Sequence, residues 1–550
     1  MPEPVLIVGA GPTGMTAALE LSRMGIPVRV IDRAPVPPAG AAPLPDRTRA
    51  IAVHARTLEL LEMRGLAKEM VQHGHLTPGG CVYGGGKRLL HVDFGRIDSR
   101  HHYLLFISQT ETERILREAI EQRGVAIERG VELVGLRQDM LPTDPSPVKV
   151  VLRHPCGRLE QAQAPWLIDA EGAHSIVRTT VGLPFEGRTR DEVYALGDLD
   201  VDGDLSSDDF HLFSTEYGLL GLFPLGDRRF RIIAGVPPSK VHGDAPPAIE
   251  DLQAIYDERS PTPARFRDLR WASWFRINSR MVPHVRVGRL ILGGDAAHIH
   301  SPAAGQGMNT GIQDMINVSW KLALTMQGQA PEALLDTYEE ERLPVMRDVL
   351  SKTERLTDLM TSRRPFVRGL LSRLAPRLGR SRAAQRMIPF RVSQLAIRYR
   401  HSSLSAHHGR PGRLRAGDRV PDLSVQSRIA HGDTWQERSL FGLLDPCRFT
   451  LLVVHPEGSD AASVDWCNAV SPWPIIRVVG IAPPRDDPAR ERFHTTFGRS
   501  RGVFLVRPDG YVAFVGGKHA SPAHLDAYCR RWLTAREPAR SPEQQAPPAA

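Results

Sequence analysis

The sequence predicts an α/β fold in which a parallel nucleotide-binding sheet is interrupted by an antiparallel one and then resumed, with a further α/β unit behind it. Three observations predict this. The unbroken apolar run Val5-Leu6-Ile7-Val8 leads straight into Gly9-Ala10-Gly11-Pro12-Thr13-Gly14 and an amphipathic stretch, the pattern of a central parallel strand feeding a helix. From about Gly182 to Val287 the texture changes to short alternating runs separated by Gly, Pro and Asp. A second unbroken run, Leu290-Ile291-Leu292, then delivers Gly293-Gly294-Asp295.

Each element follows in order. Residues Met15 to Met24 carry helical periodicity, and Val28-Arg29-Val30-Ile31 is a second strand ending on Asp32, so the first thirty-two residues read as one β-α-β unit. A Pro- and Gly-rich loop spans Ala34 to Asp46, and helices are expected at Ala55 to Met63 and Gln109 to Glu121. Within the antiparallel region, Leu219 to Leu225 and Phe230 to Val236 read as strands. Ile312 to Met326 and Pro331 to Leu350 read as helices, followed by a basic, less regular helical region over about Ser351 to Arg400. The last unit carries strands at Phe449 to Val454, Ile475 to Gly480 and Gly502 to Val506, a Pro508-Asp509-Gly510 turn and a helix from Pro522 to Leu533. The expected boundaries are therefore 1–181 and 288–400 for the two parts of the nucleotide-binding domain, 182–287 for the inserted sheet, 401–417 for a linker, 418–535 for the last unit and 536–550 for a disordered, Pro- and Ala-rich tail.

A chain of 550 residues exceeds the size at which one core stops growing, so two or three packed units are expected. The net charge of +8 is modest and its arginines are dispersed, which gives no footprint for nucleic acid and suits anionic small ligands. Cys81, Cys156, Cys447, Cys467 and Cys529 have no metal-binding or dithiol spacing and read as reduced thiols. No apolar run approaches the roughly 20 residues needed to cross a bilayer. A cytoplasmic location without a membrane partner is expected.

The glycine loop states its own chemistry. Gly9 permits the tight turn, Gly11 lets backbone approach a pyrophosphate, Gly14 allows the helix to pack on the strand, and the unpaired N–H groups at the start of the helix that opens at Pro12 and Thr13 offer positive charge to phosphates. Asp32, with Arg33 after it, stands at the next strand tip, placed to accept from ribose hydroxyls. Together these define a Rossmann-type site. The second motif selects the nucleotide: Gly294-Asp295 at a strand end can meet a polyol chain, and the loop Pro302, Gly305, Gly307, Met308, Asn309 leads into a helix whose N-terminus can stabilise negative charge on a flavin ring. The pair of loops points to FAD.

On these residues the chain resembles the FAD-dependent aromatic hydroxylases, single-component flavoprotein monooxygenases of the para-hydroxybenzoate and phenol hydroxylase type, over about residues 4 to 400. The last unit is similar to the thioredoxin-like C-terminal domain of a subset of them. The resemblance implies that Gly294 and Asp295 contact the ribityl chain and that residues 302 to 309 lie beside the ring. It also implies that Arg49, Arg56 and Gln109 approach FAD. Asp32 stands where the family usually has glutamate. In Ile168-Asp169-Ala170-Glu171-Gly172-Ala173-His174-Ser175-Ile176-Val177-Arg178, Glu171 and Gly172 match the family's Asp-Gly motif with an added methylene, at a place linked to both FAD and NAD(P)H. His298, in a tight Ala-Ala-His turn, is given no catalytic role.

The implied reaction is reduction of the flavin by NAD(P)H, addition of O2 at C4a, and hydroxylation of a phenolic or polycyclic aromatic substrate by that hydroperoxide. No side-chain catalytic set is required, and none is assigned. The substrate is expected between the flavin and the inserted sheet, where Phe210, Phe213, Tyr217, Leu220, Phe223, Trp274 and Phe275 offer an apolar lining, though sheet residues of this kind more often form plain core. Tyr217, Phe223 and Pro224 are the residues assigned, because Phe223-Pro224-Leu225 falls at the family's pocket strand. A homodimer is a possible assembly. Two rivals remain. Flavin-dependent halogenases carry W-x-W-x-I-P, which Trp271-Ala272-Ser273-Trp274 does not continue, and a non-catalytic FAD-binding protein would have no use for a complete ring loop.

Overall fold

The computed structural model describes residues 3–36, 50–138, 140–141, 144–215, 217–241, 245–301, 305–362, 364–429, 434–455 and 463–535. Arg49, Pro302 and the tail 536–550 lie outside them. The chain forms two compact units, Met1–Ser319 with Glu341–Ile397, and Trp320–Glu340 with Arg398–Ala550.

The first unit is built on a six-stranded sheet in the order Arg286–Val287, Leu290–Leu292, Leu167–Asp169, Val5–Val8, Val28–Asp32, Ile127–Arg129. All pairings are parallel except that of the first strand, which runs antiparallel to Leu290–Leu292. Every residue of Val5–Val8, Leu167–Asp169 and Leu290–Leu292 is buried, as strands covered on both faces must be. The helix Pro12–Arg23 follows the first strand with Pro12 in its first turn, where the missing N–H costs nothing.

A second, eight-stranded sheet runs in the order His298–Ile299, Ala264–Met281, Glu186–Gly203, Arg229–Val236, Gly218–Gly226, Asp209–Thr215, Gly79–Gly84, Lys87–Asp93. The inserted residues thus form the expected antiparallel sheet, but they recruit an edge hairpin from residues 79–93, and Asp209–Thr215 pairs with Gly79–Gly84 in parallel. Alternation within one segment carries no information about which distant strand it will meet. Leu199, Phe213, Leu220, Phe230 and Ile232 fill the core of this sheet with the helix Ile249–Arg259. Arg231 lies buried in it and donates from Nε and Nη2 to the two carboxylate oxygens of Asp198 at 2.6 and 2.7 Å, while Trp271 Nε1 donates to the same carboxylate at 2.8 Å.

The second unit is a seven-stranded sheet in the order Ala406–His408, Val512–Gly516, Gly502–Val506, Phe449–Val454, Ile476–Ala482, Ser424–Arg428, Gln436–Ser439. Phe449–Val454 and Ile476–Ala482 are parallel neighbours, Gly502–Val506 and Val512–Gly516 follow antiparallel, and the helices Ser463–Val470, Asp487–Phe497 and Pro522–Trp532 connect and close the series. This is the thioredoxin-like arrangement. Two features depart from the sequence reading. Ala406–His408, inside the stretch read as a linker, pairs with Val512–Gly516. Trp320–Glu340 belongs to this unit, because the fully buried Trp320 indole lies 5.4 Å from the Arg507 guanidinium and donates to Asp509 Oδ2 at 3.4 Å. Among the described residues all five cysteines are free thiols, and no helix is long and apolar enough to cross a membrane.

Removing one partner of a buried ion pair strands the other charge. Asp198→Ala is therefore expected to lower stability by about 3–5 kcal/mol, measured as a fall in the denaturant midpoint. A loss below about 1 kcal/mol would show that Arg231 finds solvent in the folded protein.

Candidate active site

Three adjacent strands of the parallel sheet end side by side, and each end carries one loop: Val5–Val8 leads into Gly9, Leu167–Asp169 into Ala170-Glu171-Gly172, and Leu290–Leu292 into Gly293-Gly294-Asp295. Ligands of open α/β sheets bind at such carboxyl ends. Glycine is required by how closely these loops approach. A Cβ on Gly9, whose φ is +102°, would lie 2.2 Å from the Ala170 carbonyl oxygen, and one on Gly14 would lie 1.9 Å from the Gly9 oxygen. A Cβ on Gly294 (φ +58°) would lie 2.5 Å from Thr13 Oγ1, and one on Gly311 would lie 2.4 Å from the same atom. Gly11 differs, since a Cβ there would meet nothing within 4 Å. It faces the open space that the loops enclose.

That space is a cavity of about 500 Å³. Gly9, Gly11, Pro12, Thr13, Asp32, Arg33 and Gln109 line it from the first segment, Glu171 and Gly172 from the second loop, and Asp295, Gly305, Gly307 and Met308 from the third. Leu196, Ile233, Phe275, Ile277 and Asn278 line it from the inserted sheet, and His300 from the turn beside it. The cavity fits a flavin dinucleotide: it is open at Gly11 beside the start of a twelve-residue helix, and its far wall is apolar.

The remaining assigned residues act around the cavity or elsewhere. Gly14 lies beneath the turn. Asp32 accepts from the amides of Ala10 at 2.8 Å and Ala34 at 2.7 Å and meets Arg129 at 3.3 Å, so its carboxylate also shapes the loop. Gln109 accepts from the Ala50 amide at 3.2 Å and donates to Glu113 at 2.9 Å. Glu171 Oε2 accepts from the amides of Ile176 and Val177 at 3.0 and 3.2 Å, so the added methylene lets its carboxylate turn back onto its own short helix. Gly294 donates its amide to Asp314 at 3.2 Å. Asn309 is buried: its amide nitrogen donates to the Ala52 and Gly305 carbonyls at 2.8 and 2.9 Å, and its Oδ1 accepts from His54 N at 2.9 Å, which ties the ring loop to the Ala52–Val53 strand.

Four assigned residues lie away from the cavity lining. Arg56 does not line the cavity; it is fully buried in the helix Ala55–Glu62 and ion-paired with Glu59 at 3.2 Å. Tyr217 sits at a hairpin turn and is 45% exposed. Phe223 and Pro224 also lie outside the cavity lining. Phe223 packs edge-on to Phe106, with ring centroids 5.7 Å apart, and against Phe210 at 6.2 Å, serving an aromatic cluster. Of the other lining candidates, Phe275 lines the cavity, Phe210, Phe213 and Leu220 are core, and Trp274 donates to the Ala245 carbonyl.

Two polar networks were not foreseen. Asp314 accepts from Arg342 Nε at 2.8 Å and bonds His298 Nε2 at 2.8 Å, all three side chains being buried, and Arg342 and His298 hold its carboxyl below the usual range. His298 is thus a structural residue supporting the Gly294 loop. Arg178 donates to the carbonyls of Ala173 at 2.7 Å and Ala296 at 2.9 Å and so fastens the second loop to the third. Its signal lay in the quoted Asp169-to-Arg178 motif. At the cavity edge, burial and the nearby His298 push the His300 imidazole down to about 4, so it is neutral at physiological pH. Burial, with Glu171 beside it, pushes the Asp169 carboxyl up to about 7.

Three adjoining loops closed on one dinucleotide cavity, with an apolar sheet as its outer wall, define a flavin-dependent oxidoreductase. Residues 3–353 match the model of an FAD binding domain and residues 413–535 that of an aromatic-ring hydroxylase C-terminal domain. The chain is 35% identical over 541 residues to 6-methylpretetramide 4-monooxygenase of Streptomyces rimosus, covering 93% of this chain and 90% of that protein. It is 30% identical over 529 residues to pentachlorophenol 4-monooxygenase of Sphingobium chlorophenolicum, covering 92% and 93%. Its structure matches the anhydrotetracycline hydroxylase OxyS of Streptomyces rimosus with a TM-score of 0.74 at 30% identity, over 97% of this chain and 99% of that one. The chain belongs to the FAD-dependent aromatic-ring hydroxylases: it is a monooxygenase with FAD as cofactor and NAD(P)H as reductant.

Asp169 gives the fold a pH signature. A carboxyl raised to about 7 in the folded state binds its proton more tightly there than in the unfolded chain, so stability falls as pH rises from the ordinary carboxyl range through about 7. Asp169→Asn mimics the protonated form, and Ser175 Oγ, at 2.6 Å from the carboxylate, can pair with either. Relative to the parent, the variant is expected to gain about 2–4 kcal/mol between pH 4 and pH 7 in denaturant unfolding. Stability curves that run parallel across that window would contradict the buried, proton-holding carboxyl.

Proposed function

We propose that the cavity takes FAD along the three loops and, against the inserted sheet, a fused-ring phenolic substrate. The helix start at Gly11, Pro12 and Thr13 would receive the pyrophosphate, Asp32 and Arg33 the adenosine end, Asp295 the ribityl chain, and the loop through Gly305, Gly307 and Met308 the flavin ring. Gln109 and Gly172 would complete the wall, with Glu171 held as the cap of its own helix. Bound FAD supplies activation of dioxygen and transfer of one oxygen atom to the ring.

The protein's own share is binding, orientation and exclusion of water. Leu196, Ile233, Phe275 and Ile277 present apolar side chains to the cavity, and Arg276, Asn278 and neutral His300 are polar groups beside them able to fix a ring hydroxyl or carbonyl. The observation that carries this reading is the continuity of one cavity from Gly11 to that wall. Relatives named for fused-ring substrates, the 6-methylpretetramide and anhydrotetracycline enzymes, support a polycyclic over a single ring, although the pentachlorophenol enzyme is a relative at similar identity. A cytoplasmic enzyme acting on a diffusible substrate is the corresponding setting, with a homodimer as the proposed assembly.

The test is NADH and NADPH oxidation by the FAD-loaded protein against a panel of linear tetracyclic phenols and single-ring phenols, with product masses. Tetracyclic phenols are expected to stimulate turnover and gain one oxygen, and Phe275→Ala is expected to lower kcat/KM for them by about 10- to 100-fold by removing part of the wall. Faster coupled hydroxylation of single-ring phenols would overturn the fused-ring assignment. Halogenated product, or no oxygen gained on any ring, would overturn the hydroxylase reading at this cavity.

A further inference from the structure

Away from the flavin cavity, the edge hairpin of the eight-stranded sheet brings three side chains together. Cys81 and His91 are direct cross-strand partners, and Asp209 stands opposite Gly79 on the neighbouring strand, so all three project from one face. Asp209 Oδ2 lies 3.5 Å from Cys81 Sγ and Oδ1 lies 3.0 Å from His91 Nε2, with one ligand atom from each residue within 4.8 Å of the others. Their convergence depends on Gly79, because a Cβ there would lie 2.2 Å from Asp209 Oδ1 and 2.7 Å from His91 Nε2. None of the three lines the cavity.

From this arrangement we propose a zinc site formed by Cys81 Sγ, His91 Nε2 and an Asp209 carboxylate oxygen, completed by water at the exposed His91 side. Zinc bonds of about 2.3 Å to sulfur and about 2.0–2.1 Å to nitrogen and oxygen place tetrahedral neighbours roughly 3.3–3.6 Å apart; Cys81 Sγ is 3.5 Å from Asp209 Oδ2, while His91 Nε2 is 3.0 Å from the other oxygen, Oδ1, so the carboxylate must turn for a single oxygen to serve both. A thiolate, an imidazole and a carboxylate are the donor set that favours zinc over calcium or magnesium. In the absence of metal, the carboxylate is bracketed by the Cys81 S–H and the His91 ring N–H, the two groups whose hydrogens an ion would replace. On binding, the Cys81 proton leaves to solvent, the neutral His91 ring exchanges with water to carry its single proton on Nδ1 instead of Nε2, and no electron moves. The ion would pin the hairpin Gly79–Gly84 and Lys87–Asp93 to Asp209–Thr215 across a parallel seam. Other neighbours of the sulfur are the Tyr83 hydroxyl and the exposed Arg88, whose charge opposes a cation. His211 is committed to Tyr83 and to the Ser206 carbonyl.

The test uses the full-length, FAD-loaded protein, stripped with a chelator and titrated with Zn²⁺, with bound metal counted by elemental analysis. A parallel Co²⁺ titration reads the tetrahedral ligand-field bands beyond the red edge of flavin absorption. One metal per chain and tetrahedral cobalt bands are expected, with a thermal midpoint that rises on adding zinc. Cys81→Ser, His91→Ala and Asp209→Asn should each lower affinity by at least the roughly 10- to 100-fold that loss of an outer-shell partner costs, with the flavin spectrum unchanged. Arg88→Ala should raise it. The proposal is overturned if no stoichiometric metal is taken up, or if zinc is bound equally well by all three ligand variants.

Discussion

The structure of the site depends on one close approach: the Gly9-to-Gly14 turn and the Gly293-to-Asp295 turn touch through Thr13. Its hydroxyl leaves no room for a Cβ at either Gly294 or Gly311. Two stretches separated by some 280 residues in sequence thereby become opposite lips of one cavity. The sheet order makes this inevitable once it forms, because Leu290–Leu292, Leu167–Asp169 and Val5–Val8 are neighbours and all run parallel. The interruption of the nucleotide-binding domain is what allows the third strand to return with a wall already built between the two passages.

Two buried polar networks hold these lips in register. Asp314 on the helix Gly307–Met326 gathers the Gly294 amide, His298 and Arg342, while Arg178 joins the carbonyls of Ala173 and Ala296. The side chains of Asp314, His298, Arg342 and Arg178 do not line the cavity, although Ala173, which Arg178 holds, does. They fix where the backbone of the three loops lies, which matters for chemistry that rests on orientation.

The parallel sheet was legible in the sequence because a strand buried on both faces must be uniformly apolar, and Val5–Val8 and Leu290–Leu292 have no other reading beside their glycines. The substrate wall was not. Leu219 to Leu222 of the strand Gly218–Gly226 form an unbroken buried run, so alternation could not tell which way Phe223 would point, and its ring packs on Phe106 and Phe210. The surroundings of Arg56 were hidden for a different reason. An arginine two residues into a helix reads as solvent- or ligand-facing, and only the fold reveals Glu59 waiting for it in the interior. The edge hairpin at residues 79–93 was not read from the sequence, and the strand it joins lies more than a hundred residues away.

The account is tested most directly by a double-mutant cycle on FAD affinity with Thr13→Ala and Gly294→Ala. If the two turns are in contact, Gly294→Ala should weaken FAD binding strongly, and Thr13→Ala should recover part of that loss by removing the atom 2.5 Å from the new methyl group, a coupling of about 0.5–3 kcal/mol. Losses that simply add would mean that the turns do not meet, and that no single cavity joins them.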